Sequence, residues 1–379
     1  MTIKIWSRIH TWTSLVSMLF LLMLCVTGLP LIFHHEIDEL FEEEISAPPM
    51  AANTPRASLD RVVEAAQKLY PGQFILFMQP SQTEPVVSVA TSATAVPLPG
   101  MFRRTTFDAR TVEVLGDEVP HLDVMNIILR IHRDMFVGLP GELFLGVMGL
   151  VFVVSIVSGI VIYWPFMRRL DFGSIRYTSS RVKWLDAHNL LGIVTVTWAL
   201  VVGLTGTINT LAVPLSDLWR AQYLPTLLAS YVGKPVARIP SIQAVVDNVQ
   251  EKFPDRIITQ IIMPTSGRFG SPQHLIVGTK GSTPFTARMR EPILVDANDA
   301  SNMIAPQVPW YLKVLQVSRP LHFGDYGELP LKIIWALFDI ITIIILLSGL
   351  YLWAIKKRSF GIDRTSRSIP RMVDPKREY

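Results

Sequence analysis

Four long apolar runs, Trp12 to Phe33, Leu143 to Trp164, Leu190 to Val213 and Leu329 to Ile355, constrain this chain more than any other feature. Each is near or above the roughly 20 residues that a helix needs to cross the hydrocarbon of a bilayer. The first three contain no Asp, Glu, Lys or Arg; the fourth contains Lys332 near one end and Asp339 inside, yet is otherwise too apolar for a surface helix. Half of all residues are hydrophobic and 17% are charged, a balance that points to a membrane protein rather than a soluble enzyme.

Lys and Arg gather in the short flanks: Lys4 and Arg8 before the first run, Arg168, Arg169, Arg176, Arg181 and Lys183 between the second and third, and Lys356, Lys357 and Arg358 after the fourth. The positive-inside rule then places both termini in the cytoplasm. The expected order is a first span over residues 1–33, an exported module over 34–142, a second span over 143–166 and a cytoplasmic loop over 167–187. A third span over 188–213, a second exported module over 214–328, a fourth span over 329–355 and a cytoplasmic tail over 356–379, short, basic and disordered after Phe360, complete it. In a Gram-negative bacterium the membrane is the inner one and the exported side is the periplasm. The first run is too long for the apolar region of a signal peptide and lacks a small-x-small cleavage site, so it is expected to stay as an anchor. Cys25 is the single cysteine, which rules out an intrachain disulfide. The flanks account for the net charge of +4, and no basic tract interleaved with aromatics suggests nucleic acid.

The halves of the chain align with each other. Trp6-x-x-x-His10 matches Trp184-x-x-x-His188, and Thr27-Gly28 matches Thr205-Gly206. SLDRVVEAAQKLYPGQFILFMQP from Ser58 resembles SIQAVVDNVQEKFPDRIITQIIMP from Ser241. Each begins with Ser as an N-cap, followed by apolar residues at helical spacing: Leu59, Val62, Val63, Ala66 and Leu69 in one, Ile242, Val245, Val246, Val249 and Phe253 in the other. A β-like run follows each. Phe107-Asp108 then corresponds to Val295-Asp296, and Ile131-His132 to Leu321-His322. Offsets grow from 178 at the first histidines to 190 at the last, as loop insertions produce. Both units run in, out, in, so the fold expected is membrane α+β, with four transmembrane helices in two parallel repeats about an axis along the membrane normal.

The exported modules, a helix followed by short strands, resemble PepSY domains. The whole arrangement resembles the PepSY-associated transmembrane helix family of iron-regulated inner-membrane proteins, through the two His-bearing helix starts, the two SLDRVV-like modules and the two His segments before later spans. Members of the ferrioxamine reductase type pass electrons through haem to a ferric siderophore in the periplasm, and the resemblance implies that chemistry here.

The repeat sorts the eight histidines. His10 and His188 are equivalent near the cytoplasmic face, His132 and His322 near the outer face, and His34, His35, His121 and His274 have no counterpart. Equivalent residues of parallel repeats face each other across the axis. Neutral imidazoles facing each other from different helices suit the axial positions of haem iron, so His10 with His188 and His132 with His322 are the candidate iron ligands of two haems, with the irons expected 15 to 20 Å apart, roughly, from the rise of one span. With no C-x-x-C-H the haems are b-type. Interfacial snorkelling is the other reading of these histidines; zinc would need more ligands than a pair supplies. His34 or His35 stands as an alternative outer ligand. Thr27, Gly28, Gly146, Gly149, Ser155, Ser158, Gly159, Gly203, Thr205, Gly206, Ser348 and Gly349 leave room for a macrocycle, or for tight helix packing. Arg8, Arg130, Arg133 and Arg319 stand as propionate partners, and Asp339 as a proton relay or a hydrogen bond to another helix, Asn209 being one candidate.

Phe136, Trp310, Tyr311, Phe323 and Tyr326 are candidates for a docking surface, or for an interfacial aromatic belt. The expected activity is haem-dependent reduction of a ferric siderophore, of hydroxamate type, with release of Fe(II). No G-x-G-x-x-G or flavin-like domain is present, so the electron donor is another molecule, such as quinol or reduced flavin. A siderophore or iron transporter and a non-enzymatic PepSY binding protein are the alternatives. No Ser/His/Asp, H-E-x-x-H or P-loop pattern supports a hydrolase or ATPase.

Overall fold

The computed structural model describes residues 2–41, 45–51, 53–97, 102–118, 124–167, 171–231, 236, 239–265 and 270–367. His121, Arg168 and Arg169 lie outside them. In chain order the helices are α1 (Ile3–Ile32), α2 (His34–Phe41), α3 (Leu59–Leu69), α4 (Val124–Asp134), α5 (Leu139–Met167), α6 (Ser180–Asn209), α7 (Ala212–Leu228), α8 (Ile242–Lys252), α9 (Trp310–Phe323) and α10 (Glu328–Arg367). Strands β1 (Phe74–Pro80), β2 (Val86–Ser92), β3 (Arg103–Asp108) and β4 (Val114–Glu118) follow α3. Strands β5 (Arg256–Ile262), β6 (His274–Gly281), β7 (Arg290–Asp296) and β8 (Asp299–Ile304) follow α8. Two compact units result, one of Met1–Phe33, Ile128–Thr210 and Leu321–Tyr379, the other of His34–Ile127 and Leu211–Pro320.

In the first unit, α1, α5, α6 and α10 are each long and apolar enough to cross a membrane. They form a bundle in which α1 and α6 each pack on both α5 and α10. Many of their large apolar side chains, such as Leu19, Val147, Val194 and Ile340, are exposed, as a lipid-facing surface requires. Many of the buried positions inside the bundle are small or polar: Ser17, Ser155, Ser158, Thr195, Thr205, Thr342 and Ser348.

Two boundaries differ from the sequence reading. Helix α6 begins at Ser180, with the Ser179 hydroxyl accepting the Val182 N–H, eight residues before His188, where the span was expected to start. Helix α10 runs on to Arg367, where a disordered tail was expected; nothing after Ile355 breaks helical hydrogen bonding until Pro370. Helix α7, which directly follows the third span, was not foreseen.

The second unit is one antiparallel eight-stranded sheet in the order β4-β3-β2-β1-β5-β6-β7-β8, a palindrome about the β1/β5 pair, where Phe77 faces Ile262 and Met78 faces Ile261. Each half supplies one amphipathic helix and four strands in the same succession. Leu59, Val62 and Ala66 of α3 and Ile242, Val245 and Val249 of α8 share one core with Met78, Val89, Phe107, Ile261, Val277 and Val295. Leu69 is 45% exposed, against the periodicity of its helix, because it falls in the last turn.

The helices also cap each other. Ser58 and Ser241 accept from Asp60 N–H and Ala244 N–H of their own first turns. Asp60 Oδ1 accepts the Ile242 N–H of α8 at 2.7 Å, and Gln243 Oε1 accepts the Leu59 N–H of α3 at 3.1 Å. Asp60 and Gln243 occupy equivalent positions in the two aligned segments, so each helix start is satisfied by the other's side chain. Asp60→Ala is expected to cost about 1 kcal/mol, read as faster hydrogen exchange in both α3 and α8.

At the end of β3, buried Asp108 pairs with Arg110 at 2.8 Å. The Arg110 guanidinium holds its carboxyl down to about 2. A depressed carboxyl pKa gives stability that is present above the unfolded value and lost as pH falls toward the folded one. Loosening of the β3–β4 hairpin is therefore expected between about pH 4 and pH 2, and Arg110→Met should move that loss to higher pH in a proteolysis assay.

Candidate metal centres

His10 stands near the start of α1 and His188 near the start of α6. Their rings face each other with centroids 6.4 Å apart and planes at 75°. His132 lies two residues before the end of α4 and His322 one residue before the end of α9. Their centroids are 6.3 Å apart, with planes at 61°. The structure thus brings together both pairs named from the repeat. Two imidazoles bound through Nε2 on opposite sides of one metal ion, at about 2.0–2.1 Å each, have ring centres roughly 6 Å apart.

Sharp chain reversals place the second pair. After Asp134, both Met135 and Phe136 take the left-handed backbone (φ 52° and 62°), and the Phe136 N–H donates to Asp134 Oδ1 at 2.8 Å. Residues other than glycine rarely adopt this conformation. After Phe323 the same role falls to Gly324 at φ 79°. The turns send the chain from α4 into α5 and from α9 into α10, leaving each histidine at the bend.

All four rings are held in one way. His10 Nδ1 is 2.9 Å from the Ser155 carbonyl. His188 Nδ1 is 3.1 Å from the Ile345 carbonyl and 2.9 Å from Ser348 Oγ. His322 Nδ1 is 3.1 Å from the Val202 carbonyl and 3.3 Å from Thr205 Oγ1. His132 Nδ1 lies 3.0 Å from Thr27 Oγ1, whose own hydrogen goes to the Met23 carbonyl, with the Leu24 carbonyl beside the ring. A carbonyl only accepts, so Nδ1 carries the proton, and Nε2 of the neutral ring is a bare lone pair. Among the described residues no protein group bonds any of the four Nε2 atoms. Metal-bound histidines show this arrangement, with the second nitrogen donating to a carbonyl that fixes tautomer and ring orientation.

Each ring also rests its Cε1 against a glycine. A Cβ at Gly206 would lie 3.0 Å from His322 Cε1, at Gly159 3.2 Å from His10, and at Gly28 and Gly349 3.4 Å from His132 and His188. Every spanning helix therefore contributes one hydroxyl-glycine dipeptide as a histidine seat: Thr27-Gly28, Ser158-Gly159, Thr205-Gly206 and Ser348-Gly349. The sequence reading assigned these small residues to a macrocycle or to packing, and missed the seat. Gly146, Gly149 and Gly203 are packing positions, against Thr210, Thr207 and Phe152.

A cavity of about 370 Å³ opens at the first pair, with His10, His188, Ser155, Gly159 and Gly349 on its wall. This falls in the range of cofactor pockets. Gly192 is also on the wall, and a Cβ there would meet nothing within 4 Å. The cations lining it are Arg181 and Lys356 rather than Arg8. Of the other arginines named from sequence, Arg133 is paired with Asp134 at 2.8 Å and Glu142 at 3.2 Å. Arg130 lies 4.5 Å over the Phe136 ring.

His34 and His35 open α2 in the other unit, stacked 4.1 Å apart. His274 is buried in β6 with Nδ1 on Ser271 Oγ at 2.9 Å. Asp339 of α10 is 6% exposed and faces the Cys25 thiol of α1 rather than Asn209. His10 and Gly28, the seat of His132, are eighteen residues apart on α1, about 27 Å of helix rise at 1.5 Å per residue. Among the described residues no cluster of three or more His, Cys, Asp or Glu is placed to hold a metal, so the donor sets are pairs.

Four apolar spanning helices and an antiparallel sheet with amphipathic helices define a membrane protein of α+β build. The chain belongs to the PepSY-associated TM region family, whose model matches residues 7–356. It is also similar to the uncharacterized protein PA4219 of Pseudomonas aeruginosa, 22% identical over 274 residues, which covers 66% of this chain and 68% of that protein.

Proposed function

We propose that this protein holds two non-covalent b-type haems, one between His10 and His188 and one between His132 and His322, and moves electrons across the inner membrane to reduce a ferric siderophore in the periplasm. The observation that carries the reading is the fourfold histidine geometry. Each ring is locked through Nδ1, and each pair faces across the separation that a shared metal needs. Zinc is disfavoured because it takes three or more protein ligands.

On this reading the two halves are parallel repeats, both termini are cytoplasmic, and the sheet unit is periplasmic. The first pair then lies near the cytoplasmic face and the second near the periplasmic face. When bound, haem supplies reversible one-electron transfer. The chain's own part is to hold the ligands rigid, to seat them on glycine, and to offer Arg181 and Lys356 to carboxylates at the cytoplasmic end of the first cavity. The donor, quinol or reduced flavin, is a separate molecule. The substrate brings its own iron: hydroxamate oxygens grip hard Fe(III) far better than Fe(II), so one electron loosens the metal.

The test is to reduce the purified protein without oxygen, remove excess reductant and add a ferric hydroxamate with an Fe(II)-trapping chelator. Reoxidation of the haem bands, matched by trapped Fe(II), is the expected result. Bands that stay reduced while the chelate is intact refute the reductase reading.

A further inference from the structure

We propose that Asp339 is a proton site linked to the oxidation state of the metal held by His132 and His322: its carboxylate takes up a proton when an electron arrives there and releases it when the electron leaves. This rests on the haem reading above. Asp339 is the only carboxyl in the four apolar runs, and it is buried at 6% exposure. The side chain it faces is the Cys25 thiol, at best a weak hydrogen-bond donor. Its Oδ2 is buried with no hydrogen bond at all. A permanently ionised carboxylate so placed is costly, and a purely structural carboxyl would have both oxygens satisfied.

The connection to the second pair is short. Cys25 follows Leu24, whose carbonyl lies beside the His132 ring, and Gly28, one turn further along α1, seats the same ring. Asp339 thus reaches the surroundings of the ligand without touching it. Few other charges intervene. On α1, Cys25 is the one titratable residue from Thr11 to Phe33. On α6 none occurs from Asn189 to Asn209, and that helix offers the Trp198 ring, packed on Phe338, at this level. On α10 itself Lys332 lies two turns away and has its own interaction. The turn before α10 adds Asp325, and the first residue of α10 is Glu328, both at the far end.

In this apolar setting a unit charge acts strongly over one helical turn. The oxidised metal site carries one positive charge more than the reduced one, and that charge favours the carboxylate. An electron from the quinol or reduced flavin cancels it, and a proton from water then converts the carboxylate to the acid. Transfer of the electron to the ferric chelate restores the positive charge and expels the proton. One electron and one proton enter, and one of each leaves.

The test is the midpoint potential of each haem against pH in the full-length protein, by spectroelectrochemistry. The haem absent from His132→Ala is expected to fall by about 59 mV per pH unit, a tenfold change in a one-electron equilibrium constant, while the other stays flat. In Asp339→Asn the slope should vanish, and at high pH the potential should lie above that of the wild type, since the opposing negative charge is gone. Asp339→Glu should restore a slope. Equal slopes in wild type and Asp339→Asn overturn the proposal while leaving the haem reading intact; a protein without haem overturns both. Should Asp339→Asn fail to fold, the wild-type redox-difference infrared spectrum decides. A carboxylic acid band that grows on reduction and shifts in Cys25→Ala supports the site, and the lack of such a band overturns it.

Discussion

His188→Ala is expected to halve the haem content of the purified protein, leaving one low-spin haem whose spectrum is that of the His132–His322 site. On the proposed reading the imidazole of His188 is one of two protein ligands at its centre, and no third His, Cys, Asp or Glu stands by among the described residues to replace it. The bonds to Ile345 and Ser348 that hold the ring are lost with it. The second pair lies about 27 Å along the helices, far beyond the distance at which substitutions couple, so it should be untouched. On the same reading, reduction by the donor should be lost, because the vacated level is where electrons would enter. His35→Ala, in the other unit, should retain both haems. Two haems with unaltered spectra in His188→Ala would break the pairing.

The second large effect is expected at the glycine seats, and it is graded. Gly206→Val should displace the His322 imidazole, because a Cβ there already comes within 3.0 Å of Cε1. A shift of a few tenths of an ångström misaligns Nε2 as well as the bond to Val202. Losses of roughly 10–100-fold in metal affinity accompany damage to a ligand's supporting bonds, and a comparable loss of the second haem is expected. With Ala in each seat the order should be Gly206 worst, then Gly159 at 3.2 Å, then Gly28 and Gly349 at 3.4 Å. Gly192→Ala, whose Cβ would meet no protein atom within 4 Å, should be harmless to the ligands, whereas Gly192→Leu fills the cavity and should lower the first haem alone. Haem retention during gel filtration, read at each site's own band, checks the series. Equal behaviour of all five positions would show that the glycines are ordinary packing residues.

Much of this architecture is legible in the sequence because its physics is local or repeated. The spans show through length and apolarity, and the starts of α3 and α8 through Ser58 and Ser241 with the periodicity behind them. Both histidine pairs emerge from the internal alignment, which turns a question of three-dimensional proximity into one of equivalent positions. What was not legible depends on the partner of each group. The seats involve Thr-Gly and Ser-Gly dipeptides that look like ordinary small-residue packing until the imidazole is seen against them, although their occurrence once in each span is a readable signal. Asp60 and Gln243 read as solvated helix residues, yet each caps the other's helix. Arg8 looked like a propionate partner by adjacency alone, and the cavity wall instead carries Arg181 and Lys356, which come from other helices. Asp339 was visible as an oddity; that its partner is Cys25 required the packing of α1 on α10.

The most direct measurement of the central claim is the visible spectrum of the detergent-purified protein, oxidised and dithionite-reduced, with haem extracted and counted per chain. Two non-covalent haems per chain with low-spin, bis-histidine spectra are expected, falling to one in His188→Ala and in His322→Ala. A colourless, folded, monodisperse protein from haem-replete cells would contradict the account, and would leave the four locked imidazoles to a binding or transport role.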